Sequence, residues 1–198
     1  PSGEKRHWWV MKFPFQNAAG ERFVGGVGVD ITERKRGEDN ARLESLTDPL
    51  TGLYNRRGFM MLVEQEFQLA RVIPRHGVLF FADLDGLKSI NDKYGHAGGD
   101  RALAVIAEQL RVSFREADII SRHGGDEFVV LALNCHDPEQ LVQRLRQNLS
   151  EFNKTDELPY PVSLSVGWAP MQPQGGETLE AFLTAADRRM YEAKRQRQ

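Results

Sequence analysis

Two short runs bring carboxylates to places where phosphates and a metal could be handled together. Residues 78–85 read Val-Leu-Phe-Phe-Ala-Asp-Leu-Asp, a buried-strand pattern that ends in Asp83 and Asp85. Residues 121–130 read Ser-Arg-His-Gly-Gly-Asp-Glu-Phe-Val-Val, which puts Asp126 and Glu127 directly after a Gly-Gly pair. If the two runs lie side by side, Asp83 and Asp126 can converge on a hard cation such as Mg²⁺. That ion takes one or two carboxylates and leaves its other positions to water and substrate phosphates. The backbone carbonyl of Leu84 could add a ligand.

The elements that would position these groups are legible around them. Ala117–Ser121 and Phe128–Leu133 suit strands, and Gly124-Gly125 supplies the positive φ angles of a tight hairpin turn between them. Most Gly-Gly-Asp strings are only turns, so the second acidic run is what gives this one chemical weight. Side chains alternate along a strand, which assigns Asp126 and Glu127 different jobs. Asp83 and Asp85 are read as pointing oppositely. Elsewhere, Asn55 can cap a helix to about Arg71. Asp100 opens a longer helix with Leu103, Ile106, Ala107 and Leu110 as its apolar stripe. Asp137-Pro138 starts another that runs to about Phe152. Residues 162–168 alternate like a strand, and Leu179, Phe182, Leu183, Ala186 and Met190 mark the buried face of a terminal helix. Helices segregated against a mainly antiparallel sheet make this an α+β fold.

Composition sets bounds. The chain has 198 residues, enough for one ordinary domain and an appendage. With 26 Lys and Arg against 28 Asp and Glu, it carries no nucleic-acid signature, so attraction for a polyphosphate must be local. Cys135 is the single cysteine, which excludes a disulfide framework and suits a reducing, cytoplasmic compartment. No run is long enough to span a membrane, although a parent protein could carry such a region upstream. Residues 1–32 read as two short strands, Trp8–Lys12 and Phe23–Val29, joined through Asn17–Gly20. Residues 33–46 are polar, with Ala41, Leu43 and Leu46 as sparse apolar points. They suit a connecting helix of about 20 Å, weakened by Gly37; a solvated linker fits nearly as well.

Taken together, these residues resemble the GGDEF family of diguanylate cyclases. The motif is present as Gly124-Gly125-Asp126-Glu127-Phe128, and four further segments match in the family's order: 48–57, 83–88, 91–100 and 186–194. The resemblance covers about residues 46 to 198. It implies a palm-like sheet with βαββαβ order and a homodimer that condenses two GTP into cyclic di-GMP and pyrophosphate. It implies Mg²⁺ or Mn²⁺ on Asp83, the Leu84 carbonyl and Asp126, with Glu127 holding a second metal or assisting proton removal. Lys88 and Lys194 would supply charge to the phosphates, and Gly124 and Gly125 would line the substrate site. Asn91 and Asp100 would contact guanine, and Leu50 is either a wall of the base pocket or an ordinary core residue. Arg115 and Asp118 form an RxxD string that in this family marks a product-inhibition site, with Arg146 as third member and Arg144 as alternative. Residues 1–32, ending Asp30-Ile-Thr32, resemble the close of a PAS sensor domain. The implied organisation is therefore a PAS tail (1–32), a linker helix (33–46) and a catalytic domain (47–198).

Two positions depart from the family pattern. Leu87 stands where phenylalanine is common, and Gln198 stands where arginine is common, with Arg197 as a substitute. A catalytically silent cyclic di-GMP receptor is another reading, against which the intact Asp83, Asp126 and Glu127 argue; a dimerising signalling domain is a third, and it predicts neither turnover nor guanine-specific binding. A template-copying nucleotidyl transferase lacks its basic stripe.

Overall fold

The computed structural model describes residues 5–73, 75–172 and 178–195, with backbone alone for 38–44. Arg197 and Gln198 lie outside the described residues, as do the side chains of Ala41 and Leu43. The chain divides into two units, Pro1–Ser45 and Leu46–Gln198.

In the first unit, β1 (Trp8–Gln16) and β2 (Arg22–Asp30) form an antiparallel hairpin longer than the sequence pattern suggests. Its turn is an Asx turn in which Asn17 Oδ1 accepts from Ala19 N and Glu21 N, both at 3.0 Å. Register puts Trp9, Met11, Phe13 and Phe15 on one face with Val29, Val27 and Phe23, and all seven stay exposed. Two strands alone bury too little to stand by themselves. Helix α1 (Thr32–Leu46) follows directly, with Thr32 N donating to Asp30 Oδ1 at 2.9 Å.

The second unit is the α+β domain. After the short β3 (Tyr54–Asn55) come α2 (Arg56–Val72), β4 (Gly77–Leu84), α3 (Leu87–Ser113), β5 (Ile119–Gly124), β6 (Glu127–Leu133), α4 (Pro138–Phe152), β7 (Leu164–Met171) and α5 (Leu179–Arg195). Sheet order is β3-β5-β6-β4-β7, with only the β3–β5 pair parallel. The run from β4 to β7 is the βαββαβ order. Local chemistry explains the caps: Asn55 Oδ1 accepts from Gly58 N at 2.9 Å, and Asp137 Oδ1 from Gln140 N at 2.9 Å ahead of Pro138.

The inner strand β4, between β6 and β7, is buried at every residue. Its even positions, Val78, Phe80, Ala82 and Leu84, join the core against α3 and α4. Its odd positions, Leu79 and Phe81, join Phe59, Val63 and Phe67 of α2 and Phe182, Ala186 and Met190 of α5. Period-two alternation thus sends Asp83 to the α2/α5 face.

The long helix differs from its sequence reading. It begins at Leu87, not Asp100, and is broken at Gly95, whose φ of 74° is non-helical. Glycine tolerates that conformation without the penalty another residue would meet.

Candidate functional site

Asp83, the penultimate residue of β4, lies opposite Glu127, its register partner on β6. The turn carrying Asp126 closes beside them, since Leu84 N donates to the Asp126 carbonyl at 3.0 Å. From α5, Lys194 Nζ donates to Asp83 Oδ1 at 2.7 Å, with side-chain exposures of 32% and 8%. Its reach depends on Gly167: a Cβ there would collide with the Met190 backbone, so glycine lets α5 seat against β7. Lys194 lies four residues beyond Met190, on the same side of the helix.

Charge is crowded at this edge. Burial pushes the Asp83 carboxyl up, and although Lys194 pulls it down, the charges of Asp126 and Asp85 push the same way as burial. Burial also pushes Glu127 up, reinforced by Asp187, Asp126 and Asp83. The hydrogen bond to Asp83 holds the Lys194 ammonium above its usual value. The two partners answer one bond differently because the carboxylate gives up much more water than the lysine does.

Asp85 does not part from Asp83 as the sequence reading had it. Asp85 stands in the turn just past β4, and it accepts from the Ser165 hydroxyl at 2.6 Å, Ser165 being the register partner of Asp83. Ser163 donates to its other oxygen at 2.7 Å. Asp85 is thereby tied to β7.

The donor chemistry suits a hard cation: oxygen ligands whose mutual repulsion a divalent ion would relieve. Among the described residues, no three His, Cys, Asp or Glu side chains are gathered to hold a metal. Asp83 is instead turned onto Lys194.

The Gly-Gly turn is held by a residue that sequence reasoning missed. Arg122 donates from Nε and Nη2 to the Gly125 carbonyl at 3.0 and 2.8 Å, and from Nη1 to Asp48 Oδ2 at 3.1 Å. Asp48 Oδ1 also accepts from Thr51 N at 2.9 Å and Thr51 Oγ1 at 2.7 Å. Burial alone would push the Asp48 carboxyl up, but Thr51 and Arg122 outweigh it and hold it below its usual value. A half-buried, charge-assisted fork of this kind is stronger than the exposed pairs such as Lys154–Glu151. It ties the 48–51 loop, where Leu50 stands exposed, to the turn that carries Asp126.

His123 is the extra residue of a β-bulge, between the pairs Arg122↔Phe128 and Gly124↔Glu127. Its ring packs edge-on to Phe59 at 5.2 Å and near Phe81 at 5.8 Å. Burial, helped by Arg56, pushes its pKa down to about 4, so it is neutral at pH 7. Past the bulge, Gly125 takes φ 54°.

The remaining expected residues lie on α3 and around the far end of the hairpin. Lys88 is exposed in the first turn of α3, and Leu87 packs partly buried against the α3/α4 core. Asn91 and Asp100 are brought near one another across the Gly95 break, because the Asn91 side chain lies where a Cβ on Gly99 would be. Asp100 is exposed, inside the helix. Arg115 and Asp118 share a cavity of about 190 Å³ with Cys135, His136 and Arg144. Asp118 accepts from Arg115 N at 2.8 Å and from Leu133 N at 3.0 Å. Arg144, whose guanidinium donates to the Ser113 carbonyl, lines this cavity, whereas Arg146 lines a different one with Ser163.

Comparison with known proteins identifies the family and the fold. The family described as "Diguanylate cyclase, GGDEF domain" matches residues 45–198. The chain is 41% identical over 163 residues to "Diguanylate cyclase DgcP" of Pseudomonas aeruginosa, covering 79% of this chain and 24% of that protein. It is 38% identical over 203 residues to the protein of the same name from Escherichia coli, covering 100% of this chain and 59% of that one. The chain therefore spans about a quarter and three fifths of these relatives. Among solved structures, the coiled coil and GGDEF domain of DgcB from Caulobacter crescentus, in complex with c-di-GMP, superposes with a TM-score of 0.73 at 25% identity. That match covers 82% of this chain and 88% of that one.

Proposed function

The chain belongs to the GGDEF family of diguanylate cyclases, and from that premise we propose that it condenses two GTP into cyclic di-GMP, releasing two pyrophosphates. The observation that carries this reading is the crowded edge at which Asp83, bonded to Lys194, lies opposite Glu127 and beside the turn of Asp126. In the reaction, each 3′-oxygen forms a bond to the α-phosphorus of the other nucleotide while the bond to pyrophosphate breaks.

Asp83, Asp126 and the Leu84 carbonyl are the groups to hold Mg²⁺, or Mn²⁺. When bound, such an ion orients the phosphates and stabilises the charge that builds on them in the transition state. Glu127 is assigned either a second metal or the 3′-hydroxyl proton, and the upward push on its carboxyl from burial and from Asp187, Asp126 and Asp83 supports the role of base. Lys194 and Lys88 supply positive charge to the β- and γ-phosphates, and Gly124 and Gly125 leave room for the polyphosphate at the turn. Asp100 and Asn91 read the base: a carboxylate accepts from guanine N1–H and its exocyclic amine, whereas adenine would leave the charge unpaired. Leu50 borders the base.

Each subunit binds one GTP, so turnover requires two subunits face to face. Arg115 and Asp118 are assigned to product inhibition; Asp118 keeps a further lone pair on each oxygen beside the exposed Arg115 guanidinium. Arg144, which shares their cavity, is the stronger third member than Arg146. The hairpin and its Asp30-Ile31-Thr32 exit are assigned to the end of a PAS domain.

The test is to incubate the chain with GTP and Mg²⁺ over a range of protein concentrations and resolve the nucleotides by chromatography. Cyclic di-GMP formed faster than linearly with protein is expected. No product at any concentration, with cyclic di-GMP still bound, would make the domain a receptor.

A further inference from the structure

Lys194 is placed by the fold itself onto the carboxylate that the cation reading needs. Asp83 is fixed near the end of the fully buried β4, and its side chain is 8% exposed. Lys194 projects from the last turn of α5, at 32% exposure, on a flexible four-carbon stem. Of the two partners, the lysine is the one free to swing. Asp126 and Asp85 also favour its ammonium, so it neutralises a cluster and not a single acid.

We propose that Lys194 competes with the divalent cation for Asp83, so that the cation is admitted to this carboxylate together with a nucleoside triphosphate whose phosphates draw the lysine away. This rests on the assignment of Asp83 as a cation ligand made above. An ammonium 2.7 Å from Oδ1 and a divalent ion on the same carboxylate would be like charges at contact range. A triphosphate reverses the balance, since it offers Lys194 several anionic oxygens and brings its own cation. The consequence runs against the usual expectation for a phosphate-binding lysine: removing it should improve cation binding when no nucleotide is present. Loading the cation and the nucleotide together would also keep a bare cation from occupying the site.

The test is a Mn²⁺ titration followed by electron paramagnetic resonance on the chain, on Lys194→Gln and on Asp83→Asn, with thermal melts confirming that each is folded. Without nucleotide, Lys194→Gln is expected to bind Mn²⁺ about tenfold tighter, the effect of removing one close positive neighbour from a carboxylate. With a non-reactive GTP analogue present, the order should invert, the variant binding the pair more weakly. Equal Mn²⁺ affinity in the chain and Lys194→Gln, with loss in Asp83→Asn, would overturn the competition and leave the cation site standing. Mn²⁺ binding indifferent to Asp83→Asn would instead overturn the site on which the proposal rests.

Discussion

Asp118, at one end of the hairpin β5–β6, and the group of Asp83, Asp126 and Glu127, at its Gly-Gly end, are held on opposite principles. At the far end, both oxygens of Asp118 accept backbone N–H groups, from Arg115 and Leu133. At the Gly-Gly end, Asp83 and Glu127 face each other with Asp126 beside them, and burial and mutual repulsion push the carboxyls of Asp83 and Glu127 up. The first carboxylate is satisfied by the fold; the second group is satisfied only in part, by one lysine. A cluster that raises the free energy of the folded chain is the better candidate for work on a ligand, because a ligand can relieve it.

That contrast can be broken by substitution. Asp126→Ala should lower turnover at least about a thousandfold, the scale of losing a principal group for transition-state charge, while the urea midpoint stays close to that of the parent. A matching loss of stability would make Asp126 structural. Arg115→Ala should keep turnover and weaken product inhibition about tenfold or more, read as the rise in the inhibitory concentration of cyclic di-GMP. Inhibition unchanged in that variant would remove the second site. Asp118→Ala should destabilise the fold by about 1 kcal/mol by removing the acceptor of the part-buried Leu133 N–H and of the exposed Arg115 N–H, whereas Asp83→Asn, which removes a repelled charge, should shift the midpoint by less.

A pH-dependent effect sharpens the picture of the turn. His123 is held neutral, with a folded pKa of about 4 against the 6.5 of an unperturbed imidazole. Between those values the unfolded chain binds a proton that the folded chain does not, so stability is intact above pH 6.5 and falls as pH drops towards 4. At full size the contribution is about 3 kcal/mol, and it is smaller to the extent that the half-buried ring keeps contact with water. Denaturation of the parent and of His123→Leu at pH 7.5 and pH 4.5 isolates it. The gap between the two should move in favour of the leucine variant at the lower pH.

Much of this arrangement could be read from local residue types. Asp137-Pro138 marks the start of α4, and Gly124-Gly125 marks the hairpin, because caps and turns are decided by neighbours in sequence. Alternation along residues 78–83 orients Asp83, but it does not extend to Asp85, which stands in the turn just past β4. What stayed hidden is set by distant partners. Asn91 folds over Gly99 across a break at Gly95, which turns two helix segments into one kinked element. Arg122 finds Asp48 across 74 residues and Lys194 finds Asp83 across 111. An arginine two residues before a Gly-Gly turn was the one hint of the first contact, and nothing local announces the second.

The most direct test of the central claim is the melting temperature of the chain with Mg²⁺ and a non-reactive GTP analogue at about a hundred times its dissociation constant. Binding to the folded state at that excess contributes about 2.7 kcal/mol, or a rise of about 5–10 °C for a domain of this size. The account predicts that rise for the guanine nucleotide, little for the adenine counterpart, and its loss in Asp126→Ala. No shift, or an equal shift with both nucleotides, would contradict it.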